Sequence, residues 1–356
     1  MTTARGGEAG GASAAAGAPL VFVARGGVVE SIHRVHVAAV DGAGRLVASL
    51  GSPGAVFFLR SCCKPHQAIP LVASGAADHF KITPEELAVA CGSHNGEEVQ
   101  RRAVVSLLGK AGLAPGALKC GAHEPYGRQA ANQLEERGEQ PSALHNNCSG
   151  NHAGMLALAR HTGASVETYD LSENPAQQAI LRAVSQFTGV PAEEIELAID
   201  GCGAPTFAVP LQAAALAAAR LVAPPVEWDA ETRAACARLT AAMNEHPALV
   251  AGEGELDTEL MRRCGGRLVS KVGAEGMYTA GVRPCGRWPR GLGLAMKIED
   301  GDKKDRARPA AAVRLLRQLG VLNDEDVGAL AKFASQTITN HRGDRVGETR
   351  AEFELV

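Results

Sequence analysis

The segments of this chain that read as β-strands stand at its two ends, with a long helical stretch between them. Apolar and β-branched runs at Val21–Val23, Ile32–Val40, Arg45–Leu50 and Ala55–Leu59 are separated by turn signals such as Asp41-Gly42-Ala43-Gly44, which predicts an antiparallel meander. From about 84 to 265 the pattern is mostly helical, punctuated at Pro84, Pro115, Pro141, Pro175, Pro191, Pro205, Pro210 and Pro224-Pro225. Strands return at Leu268–Val272, Met277–Val282 and Leu292–Ile298, and two amphipathic helices follow at about 308–332. Terminal strands can share one sheet only if the helices between them fold back as a separate layer. The expected class is α+β: an antiparallel sheet built from N- and C-terminal strands, flanked by helices, with a helical lobe. The expected organisation is a flexible Gly/Ala-rich tail over 1–18 and a single unit over 19–356. Its sheet lobe takes about 19–60 and 266–356, and its mainly helical lobe about 61–265.

Bulk properties narrow the function classes. The 356 residues are 46% hydrophobic and 21% charged, ordinary values for a soluble globular protein. A net charge of −3, with 4% aromatic residues and no basic stripe, argues against a nucleic-acid partner. The Ala-rich run at 213–223 is short and contains Arg220, so no membrane span is expected. Met1–Pro19 lacks the compact apolar core of a signal peptide. Nine cysteines, an odd and scattered set without a C-x-x-C pair, point to thiols kept reduced in the cytoplasm. The charge run Glu299–Arg308 reads as a solvated loop.

Three short motifs carry the chemistry. Arg60-Ser61-Cys62-Cys63-Lys64 sets Ser61 and Lys64 one helical turn apart at the start of a helix predicted over 61–75, with Pro65 in its first turn. A serine hydroxyl is a poor nucleophile until a neighbour takes its proton, and a neutral lysine amine can do so. Ser93-His94-Asn95 follows the apolar run Leu87–Ala90, where Ser93 suits a proton relay and Asn95 a donor to a substrate carbonyl; a helix N-cap is the simpler use of either. Lys271-Val272-Gly273 ends a predicted strand. The chain has only nine lysines against 27 arginines, so two at motif positions carry weight. Burial, or a second lysine nearby, would lower either from about 10.4 and supply an amine base. S-x-x-K, S-x-N and K-x-G in this order is the motif sequence of penicillin-recognising acyltransferases.

Two further loops are dense in polar groups. In His145-Asn146-Asn147-Cys148-Ser149-Gly150-Asn151-His152, Cys148 and His152 stand at metal-ligand spacing, and Cys202 in Asp200-Gly201-Cys202-Gly203 offers a third ligand; buried thiols with no metal explain them equally. Asp200, between the apolar run Ile195–Ile199 and a Gly-rich turn, suits either a substrate ammonium or a turn-forming role.

Together the motifs Arg60-Ser61-x-x-Lys64, Cys91-x-Ser93-His94-x-Gly96-Glu97, His145-Asn146-Asn147-Cys148-Ser149-Gly150, Asp200-Gly201-Cys202-Gly203-x-Pro205, Lys271-x-Gly273-Ala274-Glu275-Gly276 and Asn340-x-Arg342-Gly343-x-x-Val346-Gly347 resemble the L-asparaginase II family of the Rhizobium etli type, over about 20–350. The resemblance implies hydrolysis of L-asparagine to L-aspartate and ammonia, a fold akin to the serine β-lactamases and penicillin-binding proteins, and a homodimer. It implies two Ser–Lys pairs as the catalytic set, Ser61 with Lys64 and Ser93 with Lys271. Arg60 is then expected to hold the substrate α-carboxylate and Asp200 its α-ammonium, with Asn95, His152 and Glu275 lining the substrate site. It also implies zinc held by two cysteines and a lysine. The cysteines match Cys148 and Cys202, whereas Asn151 stands where the lysine is expected, leaving Asn151 or His152 as third ligand and no cofactor required. Three rivals share parts of the pattern. A β-lactamase or penicillin-binding enzyme should carry an export signal and a Thr or Ser where this chain has Val272, a zinc amidohydrolase would need its metal, and an amino-acid-binding protein would show no turnover.

Overall fold

Residues 21–356 are described by a computed structural model, and the tail expected over 1–18 lies outside them. The strands in chain order are β1 (Val21–Arg25), β2 (Val28–His33), β3 (Val35–Asp41), β4 (Leu46–Leu50) and β5 (Val56–Phe58), then β6 (Glu196–Ile199) and β7 (Pro205–Pro210). They are completed by β8 (Leu268–Val272), β9 (Met277–Val282), β10 (Leu292–Ile298), β11 (Ser335–Thr339) and β12 (Arg345–Ala351). A central five-stranded antiparallel sheet, ordered β4-β3-β10-β9-β8, joins the two ends of the chain as the α+β reading expects. A four-stranded sheet runs β11-β12-β1-β2 and a three-stranded one β5-β7-β6.

The expected meander over the first strands is a correction. β1 pairs with β2 and β3 with β4, but β2 and β3 lie in different sheets, and β5 pairs with β7. Burial explains the switch. Every residue of β3 is buried, so β3 sits between β4 and β10, while β2 is mostly exposed and forms an edge. β11 and β12 also escape a hydropathy reading, because their sequences are polar and their faces half-exposed.

The central sheet has one large-residue face and one small-residue face. Val35, Val37 and Ala39 join Tyr278, Leu294, Met296 and Ile298 in a core with Ala311, Ala312, Leu315 and Leu316 of the helix Arg308–Gln318. Alternation turns Ala38, Val40 and Ala295 to the other side, into the core of the helical residues. There the Ala-rich helix Leu211–Val222 lies directly on the sheet. Gly281 and Gly293 are register partners, and a Cβ on Gly293 would run into Ala215 O while one on Gly281 would stand 2.5 Å from Ala218 O. Backbone touches backbone at this layer.

The helix expected over 61–75 is broken into a 3-10 turn, Arg60–Cys63, and two short helices, Lys64–Gln67 and Ile69–Ala73. Pro70 has no N–H for the carbonyl one turn before it, and the segment restarts there. The helix Pro84–Ala90 is fixed by a capping box: Thr83 Oγ1 accepts from Glu86 N at 3.4 Å and Glu86 Oε2 from Thr83 N at 2.7 Å. This helix delivers Cys91-Gly92-Ser93. Ser93 N then donates to Val250 O at 2.7 Å, and Gly92 packs so closely that a Cβ would come within 2.9 Å of Val250 O and Leu249 O. No helix among the described residues is long and apolar enough to cross a membrane.

Gly293→Ala should destabilise the protein by about 1–3 kcal/mol through overpacking, read as a lowered urea midpoint at constant m-value. Gly286→Ala, where a Cβ meets nothing within 4 Å, should shift it by less than about 0.5 kcal/mol.

Candidate active site

The three-stranded sheet builds one wall of the site. β5 ends beside β7, Leu59 N donates to Phe207 O at 2.9 Å, and the chain turns at once into Arg60–Cys63. β6 ends at Ile199, and the β6–β7 turn presents Asp200 and Cys202. Arg60 and Asp200 meet there in a two-pronged pair, Nε to Oδ2 and Nη2 to Oδ1, both at 3.0 Å. Asp200 thereby holds the Arg60 guanidinium more firmly charged than usual. The two charges expected to face opposite ends of a substrate are bound to each other. Arg60 also adopts φ +50, a strained backbone for a side chain with a Cβ, and Glu275, Asp302 and Asp305 on the cavity lining share that left-handed conformation at φ +57, +45 and +49.

Lys64 is buried and its Nζ has three acceptors: Gly92 O at 2.8 Å, Ser93 Oγ at 2.9 Å and Cys148 Sγ at 3.2 Å. These take up its three donor directions. Lys64 bonds to Ser93, which the first turn after the Pro84–Ala90 helix brings to it, while Ser61 lines the same small recess as Lys64 and its Oγ makes no hydrogen bond among the described residues. Cys148 is drawn well below the usual thiol range, first by a hydrogen bond from the Cys202 thiol and then by the Lys64 charge; Cys202 is driven up in return. Cys62 and Cys63, behind Ser61, are buried thiols held protonated by desolvation, Cys62 at about 12.

Lys271 does not reach Ser93. Its Nζ donates to Val272 O at 2.9 Å and lies 3.6 Å from Asp257 Oδ2, with both side chains at most 2% exposed. Asp257 is the residue that the sequence reading missed. It opens the helix Leu256–Cys264, accepts from Ser270 Oγ at 2.7 Å and from Val272 N at 2.9 Å, and carries no motif. Its one sequence signal is an acidic residue in a first helical turn, shared by many solvated helices. Burial lowers the Lys271 pKa, and the Asp257 charge opposes that fall. Gly273 is required two residues on, since a Cβ there would stand 2.9 Å from Cys62 Sγ and 3.1 Å from Leu59 O.

A cavity of about 510 Å³ opens between these walls, lined by Ser61, Ser93, Asn95, Asp257 and Glu275 and rimmed by Tyr126 and Lys303. A separate recess of about 10 Å³ is lined by Arg60, Ser61, Lys64, Cys148, Asn151, Asp200 and Cys202. Ser61 borders both. Asn95 Nδ2 donates to Glu255 Oε1 at 3.0 Å, and Glu275 is exposed at the cavity edge. His152 borders neither space, which corrects its expected place in the substrate site. It is fully buried, with Nδ1 2.7 Å from the Tyr169 hydroxyl, and burial pushes its pKa down to about 3.

The sequence matches the L-asparaginase II family over residues 21–351. The chain belongs to the L-asparaginase II family. No curated protein matches the sequence. Among solved structures, the chain is similar to Mglu in its native form, with 13% identity and a TM-score of 0.44 over 82% of this chain and 65% of that one. It is also similar to a probable glutaminase from Bacillus subtilis complexed with 6-diazo-5-oxo-L-norleucine, with 14% identity and a TM-score of 0.35 over 75% of this chain and 79% of that one. The chain thus spans just under two thirds of the length of Mglu.

The zinc that the family resemblance implies can be tested on the donor set of this family member. Cys148 and Cys202 adjoin across the recess, but Asn151 turns its amide nitrogen to Ala90 O at 3.2 Å, and His152 uses Nδ1 on Tyr169. Among the described residues no three His, Cys, Asp or Glu side chains gather as ligands. Two sulfurs are fewer than the three or four protein ligands a tetrahedral zinc takes, so the residues present do not fit the ion. Dialysis against a chelator should leave amide hydrolysis within about twofold of the untreated rate, whereas loss of a bound metal ligand typically costs 10- to 100-fold. Metal analysis of the dialysed protein checks the same point.

Proposed function

We propose that this member of the L-asparaginase II family is an amidohydrolase, an L-asparaginase that hydrolyses the side-chain amide of L-asparagine to L-aspartate and ammonia with Ser61 as nucleophile. The observation that carries the proposal is the buried Lys64 Nζ, 2.9 Å from Ser93 Oγ, beside a Ser61 that borders both the cavity and the recess. In the proposed reaction Ser61 Oγ attacks the amide carbon and its proton passes to Lys64 in the amine form. Ser93, already bonded to Lys64, hands that proton to the departing nitrogen, and ammonia leaves. Water then attacks the acyl-enzyme carbonyl and gives its proton to Lys64, which returns it to Ser61 Oγ as the ester bond breaks, and aspartate is released. Lys271 supplies positive charge near the Ser61 turn.

Recognition of the amino-acid head rests on opposite charges. The Arg60–Asp200 pair offers both signs beside Ser61, and Glu275 offers a further acceptor for the α-ammonium at the cavity edge. Asn95 stands across the same cavity as a polar lining group. A homodimer in the cytoplasm, with no metal in the reaction, completes the proposal.

Ammonia release measured with asparagine, glutamine and a cephalosporin tests the substrate assignment; the highest kcat/KM belongs to asparagine, and a preference for either other compound overturns the assignment. Lys64→Met should lower kcat by about 100- to 10,000-fold, the usual worth of a general base, while the variant still unfolds in a single cooperative transition. Ser61→Ala should abolish the acyl-enzyme seen by mass spectrometry of quenched reactions, and Ser93→Ala should slow its formation without abolishing it. An adduct that persists in Ser61→Ala would move the nucleophile to Ser93.

A further inference from the structure

The site holds two buried lysines, and the surroundings of Lys271 are unlike those of Lys64. Lys64 reaches a hydroxyl, a thiol sulfur and a carbonyl, all of which leave it in contact with reacting groups. Lys271 has one carboxylate neighbour, Asp257, itself fully buried and fixed at both oxygens by Ser270 Oγ and Val272 N. The other titratable groups that act on Lys271 are Lys64, Cys62, Cys91 and Arg308. Two of these are cations and two are buried thiols, so the one anion in the set is Asp257. Asp257 also lines the cavity, which places it between Lys271 and the substrate space.

We propose that Asp257 is the positioning residue of Lys271: its carboxylate pins the Nζ group and sets the pH at which that lysine loses its proton. Lys271 then serves as a standing positive charge beside the Ser61 turn, to which its backbone is tied by the Cys62 thiol donating to Lys271 O at 3.1 Å. Proton traffic is left to Lys64 and Ser93. This division of labour rests on the amide-hydrolysis reading above; the pairing itself does not.

The sign of the effect is fixed. A neighbouring carboxylate favours the charged lysine, so removing it lowers the lysine pKa, and an opposite charge this close is worth about one unit or more. The first readout needs no turnover. In protein labelled with isotopic lysine, the Lys271 resonance is identified by its loss in Lys271→Met and titrated by NMR in the wild type, Asp257→Asn and Asp257→Glu. Asp257→Asn should move the titration down by about one pH unit or more, and Asp257→Glu should restore most of it. An unmoved titration in Asp257→Asn overturns the proposal.

The second readout is the pH profile of kcat. Asp257→Asn should bring its alkaline limb to lower pH and reduce kcat at least about tenfold, with KM within about twofold. In a Lys271→Met background the same substitution should have little further effect, as expected of two residues acting as one unit. Equal losses in both backgrounds with an unshifted limb would reduce Asp257 to a structural role and overturn the proposal. A wild type that releases no ammonia from asparagine or glutamine while the NMR shift is present would sink the amidase mechanism and leave the pairing standing.

Discussion

Two lysine side chains placed inside the protein within reach of one another are the constraint around which this site is organised. A buried amine must find acceptors or lose its proton, and two buried amines repel if both keep theirs. The chain solves this twice, by different means. Lys64 receives a carbonyl, a hydroxyl and the sulfur of Cys148, while Lys271 receives its neighbouring carbonyl and the Asp257 carboxylate. The loop at 91–93, the helix start at Cys148, the helix start at 256 and the end of β8 supply those acceptors. Breaking one partner of a fully buried pair such as Lys271–Asp257 typically costs about 3–5 kcal/mol, so the second arrangement weighs on stability as well as chemistry.

The α+β class was legible because strand patterns at two ends and helices between them leave few other arrangements. The assignment of strands to sheets was not, because pairing depends on which strands need neighbours on both faces, and β3 reveals that need only once its burial is known. The short strands β6 and β7 hid in a helical stretch between two prolines. They matter most, since their turn brings Asp200 to Arg60 across 140 residues of sequence.

Site residues divide in the same way. Ser61, Lys64, Ser93 and Lys271 were legible as motifs, since spacing within a turn or after a strand is local information. Their pairing was not, because it is set by how the Pro84–Ala90 helix is capped and how Gly92 packs under Val250. Asp257 was invisible for the opposite reason: it contacts Lys271 fourteen positions away across a helix and a strand, with nothing in its immediate sequence to distinguish it. His152 was misplaced because its spacing from Cys148 fits a metal ligand as well as it fits a buried ring against Tyr169.

The bare backbone contact between the helix Leu211–Val222 and the sheet at Gly281 and Gly293 reaches beyond packing. That helix continues directly from β7, whose turn carries Asp200, and the sheet beneath it carries Lys271 on β8. At Gly281 and Gly293 the helix backbone rests on the strand backbone, with the small side chains of Ala38 and Ala295 packed in the same layer, so the elements that carry the two walls share one tightly packed core. Asparagine and glutamine differ by one methylene, a difference worth only about 1–3 kcal/mol in a pocket. For the proposed asparaginase, discrimination that small depends on how the two walls are packed together, and the glycine pair is where the layers that carry them meet backbone to backbone.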